Sequence, residues 1–325
     1  MINEVKPFQG NHCESTTTGT LLNQIGIPLS EPMIFGLGEG LGFIFWNMKI
    51  MEFPFIGGRI KPDFLTRNLT KNLNLHLEVR ETSSTQKAWS MVRDLLNAKK
   101  IVGLKLDCFH LEYFKSPIHF AGHYVAIYGY DSEFAYLVDT LQQGSLVKTS
   151  LHSLALARNE KGPMSSKNLF YTIAATGEPF DLKRCVIGAI QRNVQDYLNP
   201  PIANIGYKGI LKLSSEIKKW FKNSVNIERD FCTTAMLMEK AGTGVALFRN
   251  LYRDFLKESF QLLHSDIISK AHQEFIQIAD HWQKVASLFD RAGKTAEYKY
   301  IEEASGLLRV LSEQERNAMT MLSHI

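Results

Sequence analysis

No stretch of this 325-residue chain holds the ~18 consecutive apolar residues that a membrane-spanning helix needs, so no membrane span is expected. The opening Met1-Ile2-Asn3-Glu4-Val5-Lys6 lacks the apolar core of a secretory leader. Cysteine is scarce. Cys13, Cys108, Cys185 and Cys232 stand far apart with no C-x-x-C pair, which excludes the common zinc and redox motifs and leaves no metal expected. A disulfide framework is not expected in a chain of this length, and a reducing cytoplasm is the compartment that fits. One-sided charge is also missing. Lys and Arg against Asp and Glu number 17 minus 15 over residues 1–175 and 20 minus 18 over 176–325, for a net charge of +4. So even a spread is not a nucleic-acid signature. Repeats and low-complexity segments are absent. What remains is an ordinary globular composition, 45% apolar and 22% charged, in a chain long enough for two domains.

One stretch organises the rest. Phe8-Gln9-Gly10-Asn11-His12-Cys13-Glu14-Ser15 sets a cysteine after a run of turn-forming residues. Thr17, Leu21, Leu22 and Ile25, closed by Gly26, then read as an amphipathic helix. Cys13 therefore falls at a helix N-terminus. The dipole and free N–H groups there stabilise a thiolate and can receive the oxyanion of an attacked carbonyl. The plainer reading is a small buried apolar residue.

A thiolate nucleophile needs a base, and the base needs an orienting group. Gly122-His123-Tyr124-Val125-Ala126-Ile127-Tyr128-Gly129-Tyr130 and Phe134-Ala135-Tyr136-Leu137-Val138-Asp139 are rich in β-branched and aromatic residues. The turn Asp131-Ser132-Glu133 lies between them, so the pair reads as a hairpin. His123 opens the first strand and Asp139 closes the second. In an antiparallel pair those two ends are neighbours. Cys13, His123 and Asp139 are thus the candidate nucleophile, base and orienter. The alternatives are a core histidine and a turn aspartate.

At these residues the chain resembles the butirosin biosynthesis protein H family. His12-Cys13-Glu14, the run Leu29-Ser30-Glu31-Pro32-Met33-Ile34-Phe35-Gly36-Leu37-Gly38-Glu39-Gly40-Leu41-Gly42, Gly122-His123-Tyr124, Gly129-Tyr130-Asp131 and Val138-Asp139 carry the resemblance. So do Gly242-Thr243-Gly244 and the stretch Phe248 to Leu256 farther on. It implies an α+β, papain-like cysteine-peptidase fold, most similar to bacteriocin-processing peptidases, followed by an all-helical domain. It also implies acyl transfer from a carrier-protein thioester to a small-molecule amine in natural-product biosynthesis. No cofactor of the protein's own is then expected, since the donor brings phosphopantetheine on an acyl carrier protein. A mildly basic chain suits docking to an acidic carrier. Asp107 matches a family position and is a candidate for supporting the site. One departure stands out: Gln9 is four positions before Cys13, closer than the papain spacing of the oxyanion-hole glutamine. Gln9, Asn11 and backbone alone all stay open as the second oxyanion donor.

Ser30 to Gly42, with Gly36, Gly38, Gly40 and Gly42 alternating, reads as a wall of the acyl pocket with Gly38 and Glu39 towards substrate, or else as a tight loop with a solvated acid. Short strands are expected within 43–59, a helix over 62–73, a strand over 75–80, a helix from Thr82 or Ser83 to Lys100, and a strand over 101–107. Cys108 at that strand's end has no helix behind it and is a weaker nucleophile candidate. His110 and His119 are rival bases, and His119 a candidate substrate contact. Leu146 to Leu156 reads as a short helix or turn and 168–173 as a last strand. The expected domains are 1–175, catalytic, and 176–325, all-helical, with helices near 181–198, 207–222, 227–240, 244–263, 266–291 and 294–322. Ala271, Phe275, Ile278, Trp282, Val285 and Phe289 form a core-facing stripe. Arg249 and Arg253 share a helix face and either hold a phosphopantetheine phosphate or carrier helix, or form a solvated face paired with acids. A homodimer is compatible with all of this.

Three functions follow: a cysteine acyltransferase, a peptidase or thioesterase using the same three residues with water as acceptor, and a non-catalytic shell that binds a partner.

Overall fold

The computed structural model describes residues 1–325 except Ile50, Ser116, Pro117, Pro163 and Ser166. In chain order it begins with α1 (Cys13–Gln24), α2 (Glu31–Leu37), β1 (Leu41–Trp46), β2 (Phe55–Arg59), α3 (Phe64–Asn72), β3 (Leu75–Arg80) and α4 (Thr85–Asn97). Then come β4 (Val102–Leu106), β5 (His123–Tyr130), β6 (Phe134–Val138), β7 (Leu146–Ser150), α5 (Leu151–Asn159) and β8 (Phe170–Ala175). The remainder is helical: α6 (Leu182–Leu198), α7 (Gly206–Asn223), α8 (Ile227–Lys240), α9 (Arg249–Leu263), α10 (Asp266–Thr295) and α11 (Tyr298–Leu322). The fold class is α+β.

The chain divides into two compact units, Met1–Ile34 with Pro62–Phe180, and Phe35–Lys61 with Asp181–Ile325. The first is built on a six-stranded antiparallel sheet ordered β3-β8-β4-β5-β6-β7. Val92 and Leu96 of α4 and Leu154 and Ala157 of α5 close one core with Val102, Leu104, Leu106, Val125, Ile127 and Leu137 from the strands. These strand residues alternate, so they share the face that α4 and α5 cover, while β4 is buried on both faces. α1 packs against β5 and α3. It is buried on all sides from Cys13 to Leu22, not amphipathic as the apolar spacing suggested. Two of its four threonines find hydroxyl partners inside, whereas the buried Thr16 and Thr17 hydroxyls have none among the described residues. Thr20 Oγ1 donates to Thr16 O at 2.9 Å, and the Thr18 and Thr66 hydroxyls meet at 2.8 Å.

Two local expectations are corrected. Ser30 to Gly42 is not an open glycine loop, because its first half is α2. A Cβ on Gly36 would collide with the Phe255 ring, so that glycine serves packing. Leu146 to Leu156 is a strand followed by a helix. Leu146–Ser150 pairs along all of β6, and the Ser150 hydroxyl caps α5 by accepting from Ser153 N at 3.1 Å.

The second unit joins the antiparallel hairpin β1–β2 to α6–α11. Its centre is an ion pair with no exposed surface. Arg249 donates to Glu315 through Nε at 2.8 Å and Nη2 at 2.9 Å. Arg249 Nη1 donates to Gly58 O at 3.0 Å and Leu247 O at 2.8 Å. Trp282 Nε1 and the Tyr197 hydroxyl complete the Glu315 carboxylate. The substrate-binding role expected of Arg249 is therefore corrected: every side of its guanidinium is spent inside the helical unit. α9 starts only at Arg249, because Val245, Ala246, Leu247 and Phe248 all have positive φ, between 48° and 73°. Left-handed backbone costs roughly 1–2 kcal/mol per residue. The bond to Leu247 O and the stack of Phe248 on Phe35, 5.7 Å between centroids, hold this turn.

Removing one partner of a buried ion pair costs about 3–5 kcal/mol, whereas removing both costs far less. Arg249→Met is expected to lower the unfolding free energy of the second unit by that amount, and Arg249→Met with Glu315→Met to recover part of it. Chemical denaturation followed by tryptophan fluorescence checks this.

Candidate active site

The site is assembled within the first unit. Cys13 is the first residue of α1 and 8% exposed. His12 caps the helix, its Nδ1 accepting from Ser15 N at 3.4 Å. The first turn of any helix has N–H groups with no carbonyl before them, and Cys13 sits among these. Glu14, fully buried in the same turn, accepts from Thr66 N and Thr66 Oγ1, both at 3.2 Å.

The loop before Cys13 is tied by Glu31. Its carboxylate accepts from Asn11 N at 2.9 Å, His12 N at 2.8 Å, Asn11 Nδ2 at 3.2 Å and Ser15 Oγ at 2.7 Å. One buried acid thus fixes the chain on both sides of Cys13. Gly10 O accepts from Leu141 N at 2.9 Å, which joins this loop to the turn after β6. The Asn11 amide is turned to Glu31, and Gln9 is exposed.

Opposite, His123 opens β5 and Asp139 follows β6. His123 Nε2 donates to Asp139 Oδ2 at 2.8 Å, with His123 7% and Asp139 0% exposed. Asp139 also accepts from the Tyr113 hydroxyl at 2.7 Å and, on Oδ1, from Thr140 N at 2.7 Å. With Nε2 taken, Nδ1 is the nitrogen left for Cys13, which lies close enough to His123 to raise its pKa. Phe114 meets the imidazole edge-on at 5.3 Å and shields it. Burial disfavours the imidazolium, but the charges of Asp139 and Cys13 outweigh it, so the His123 pKa stands well above its ordinary value. Burial, then Asp139, pushes the Tyr113 phenol well up, so it stays a donor.

The other cysteines differ. Burial pushes the Cys108 thiol up to about 11, and its Sγ contacts Ile118 O at 3.3 Å. Burial also raises Cys185 and Cys232, each with an aspartate nearby.

The remaining candidates scatter. Asp107, 3% exposed, accepts from Phe109 N at 2.8 Å and Phe120 N at 3.2 Å, and lies 3.4 Å from His119 Nδ1. His110 is bonded to Glu160 at 2.6 Å. Gly38 and Glu39 belong to the second unit. Glu39 accepts from Arg192 Nε at 2.7 Å, so its carboxylate points at an arginine of that unit. Arg253 pairs with Asp254 at 2.8 Å and Asn250 at 2.8 Å, the solvated-face arrangement. Sequence reasoning missed Glu31, Tyr113 and Thr140. Nothing local marks Glu31 as reaching back to residue 11. Among the described residues no helix is long and apolar enough to cross a membrane.

Residues 12–140 match the family described as butirosin biosynthesis protein H, N-terminal, the span that holds Cys13, His123 and Asp139. That match places residues 12–140 in the butirosin biosynthesis protein H family. Residues 152–322 match a domain of unknown function, DUF4872. No curated protein matches the chain.

Losing the Glu31 charge leaves four donors with a weaker acceptor, at about 1–3 kcal/mol. Glu31→Gln is expected to cost that much stability and to slow alkylation of Cys13 with no change in circular dichroism. Denaturation and thiol kinetics read the two effects separately.

Proposed function

We propose that this protein is a cysteine-dependent acyltransferase of natural-product biosynthesis, moving an acyl group from a carrier-protein thioester to an amine. The observation that carries the reading is the bonded pair of His123 and the fully buried Asp139, with Cys13, first residue of a buried helix, near enough to act on the His123 charge. A cysteine on a helix start facing a histidine on a strand is the papain-like arrangement. Family membership adds the biosynthetic setting.

The chemistry follows from the protonation states. The Cys13 sulfur attacks the thioester carbonyl, and α1 N–H groups stabilise the oxyanion. Collapse expels the carrier thiol, which takes the proton of the His123 imidazolium. Asp139 holds the ring with Nδ1 towards sulfur and supports its charge. Neutral His123 then accepts a proton from the attacking amine, the amide leaves, and the thiolate–imidazolium pair is restored. Asn11, with its amide on Glu31, is not the second oxyanion donor in this scheme. The donor's phosphopantetheine is substrate, and the protein itself uses no cofactor in these steps.

Intact mass tests the reading. Incubation with acyl thioesters, free or carrier-bound, is expected to add one acyl mass to wild type and none to Cys13→Ala. Amines are expected to clear the adduct faster than buffer. Clearance by buffer alone would make the enzyme a peptidase or thioesterase, and no adduct with any donor would leave a binding shell. His123→Ala is expected to slow acylation by ~10²–10⁴-fold. The raised pKa keeps the imidazolium present to higher pH than in a free histidine, so the acylation rate is expected to fall as pH rises through it. Asp139→Asn removes the main cause of that rise and is expected to move the alkaline limb to lower pH in stopped-flow acylation.

A further inference from the structure

Residues next to the paired ends of β4 and β5, where His123 stands, line a cavity of about 450 Å³ that the scheme above does not use. Asp107, His119, Phe120, Ala121, Glu160 and Lys161 line it. Its place relative to the base is set by the sheet. Leu106 pairs with His123 across β4 and β5, and Asp107 is the next residue after Leu106. Ala121 precedes His123 by two. Gly122, between them, lies against the Met164 side chain, which also lines the cavity: a Cβ there would come within 2.6 Å of Met164 Cε.

The lining repeats the unit of the catalytic pair. His119 Nδ1 faces Asp107 Oδ2 at 3.4 Å. The His119 ring stacks on Phe109 at 3.9 Å and 11°. These two contacts orient the imidazole and leave Nε2 outward. Its side chain is 60% exposed, whereas Asp107 is held by two backbone N–H groups. Across the cavity Glu160 carries a second imidazole, His110, at 2.6 Å. Two carboxylates face one ammonium, and that ammonium, Lys161 Nζ, is bonded to Asn159 Oδ1 at 2.9 Å. The charge balance therefore favours a cation, and the volume suits a small molecule.

An aliphatic amine reaches the enzyme as an ammonium and cannot attack until it loses a proton. His123 serves the attack itself, where it takes the second proton as the C–N bond forms. A separate group must take the first.

We propose that this cavity is the acceptor subsite, that it takes a cationic primary amine, and that His119, oriented by Asp107, removes the proton that makes the amine a nucleophile. The inference rests on the acyl-transfer reading. The ammonium gives one proton to His119 Nε2, and its freed lone pair attacks the acyl carbon on Cys13. The second N–H proton passes to His123, the C–S bond breaks, and the electron pair returns to Cys13 sulfur. His119 then releases its proton to water. Glu160 holds the charge of the incoming cation.

The test uses the full chain, loaded on Cys13 from an acyl-N-acetylcysteamine thioester, with two acceptors read by intact mass. One is 1,3-diaminopropane, charged at neutral pH. The other is trifluoroethylamine, largely uncharged there. His119→Gln is expected to slow clearance by the diamine on the order of 100-fold, with no comparable loss for trifluoroethylamine. Glu160→Gln is expected to raise the diamine concentration needed for half-maximal clearance and to leave that for trifluoroethylamine in place. Equal losses for the two amines in both variants, or none, would overturn the assignment while acyl-Cys13 still forms. Failure of wild type to form acyl-Cys13 would instead remove the acyl-transfer reading, and this subsite with it. Glu160→Gln keeps an oxygen acceptor for His110, so its result stands even if His119→Gln does not fold.

Discussion

A carboxylate with no exposed surface must be met by donors on every side, and Asp139 sets that demand at the centre of the first unit. Its three partners come from three directions: His123 from the neighbouring strand, Tyr113 from the loop after β4, and Thr140 from its own turn. Leaving any donor out would strand a buried charge. The same requirement fixes the imidazole tautomer and turns Nδ1 to Cys13. It also explains why the His123 pKa is raised despite complete burial, which alone would lower it. Glu31 does comparable work on the other side, gathering the loop before Cys13 and the first turn of α1 around one acid. Cys13 and His123 are therefore positioned by two buried carboxylates.

Much of this geometry could be read from residue patterns, and the reasons are specific. His123 and Asp139 were legible because strand alternation and a three-residue turn put them at facing ends of a hairpin. Cys13 was legible because Gly10, Asn11 and His12 precede a run that can only be helical. Glu31 was not, because its partners are 16 to 20 positions away and pairing at that range depends on how two loops fold back. β7 was missed because Leu146-Val147-Lys148-Thr149-Ser150 is too short and mixed to declare itself; its partner β6 decides its conformation. The helix α1 was recognised but its burial was not, since its four threonines read as polar in the sequence.

The second unit shows the same limit in a different form. Arg249 and Arg253 look alike on a helix wheel. Tertiary contacts separate them, one sealed against Glu315 and Trp282, the other paired at the surface with Asp254. Short strands were readable within 43–59, but their membership of the second unit was not, because residues 35–61 sit in the middle of the sheet-forming segment. Helix count and order, by contrast, followed from periodicity, because α10 and α11 are long enough for the apolar stripe to repeat many times.

The central claim is that Cys13, backed by His123 and Asp139, is a reactive nucleophile while the other three thiols are not. Peptide-mapped alkylation by iodoacetamide at neutral pH, timed for all four cysteines in the folded protein, tests it most directly. Cys13 is expected to react at least ~10-fold faster than Cys185, with Cys108 slowest because burial holds its thiol protonated, and His123→Ala is expected to abolish the lead. A Cys13 that reacts no faster than Cys185, or whose rate is indifferent to His123, would contradict it.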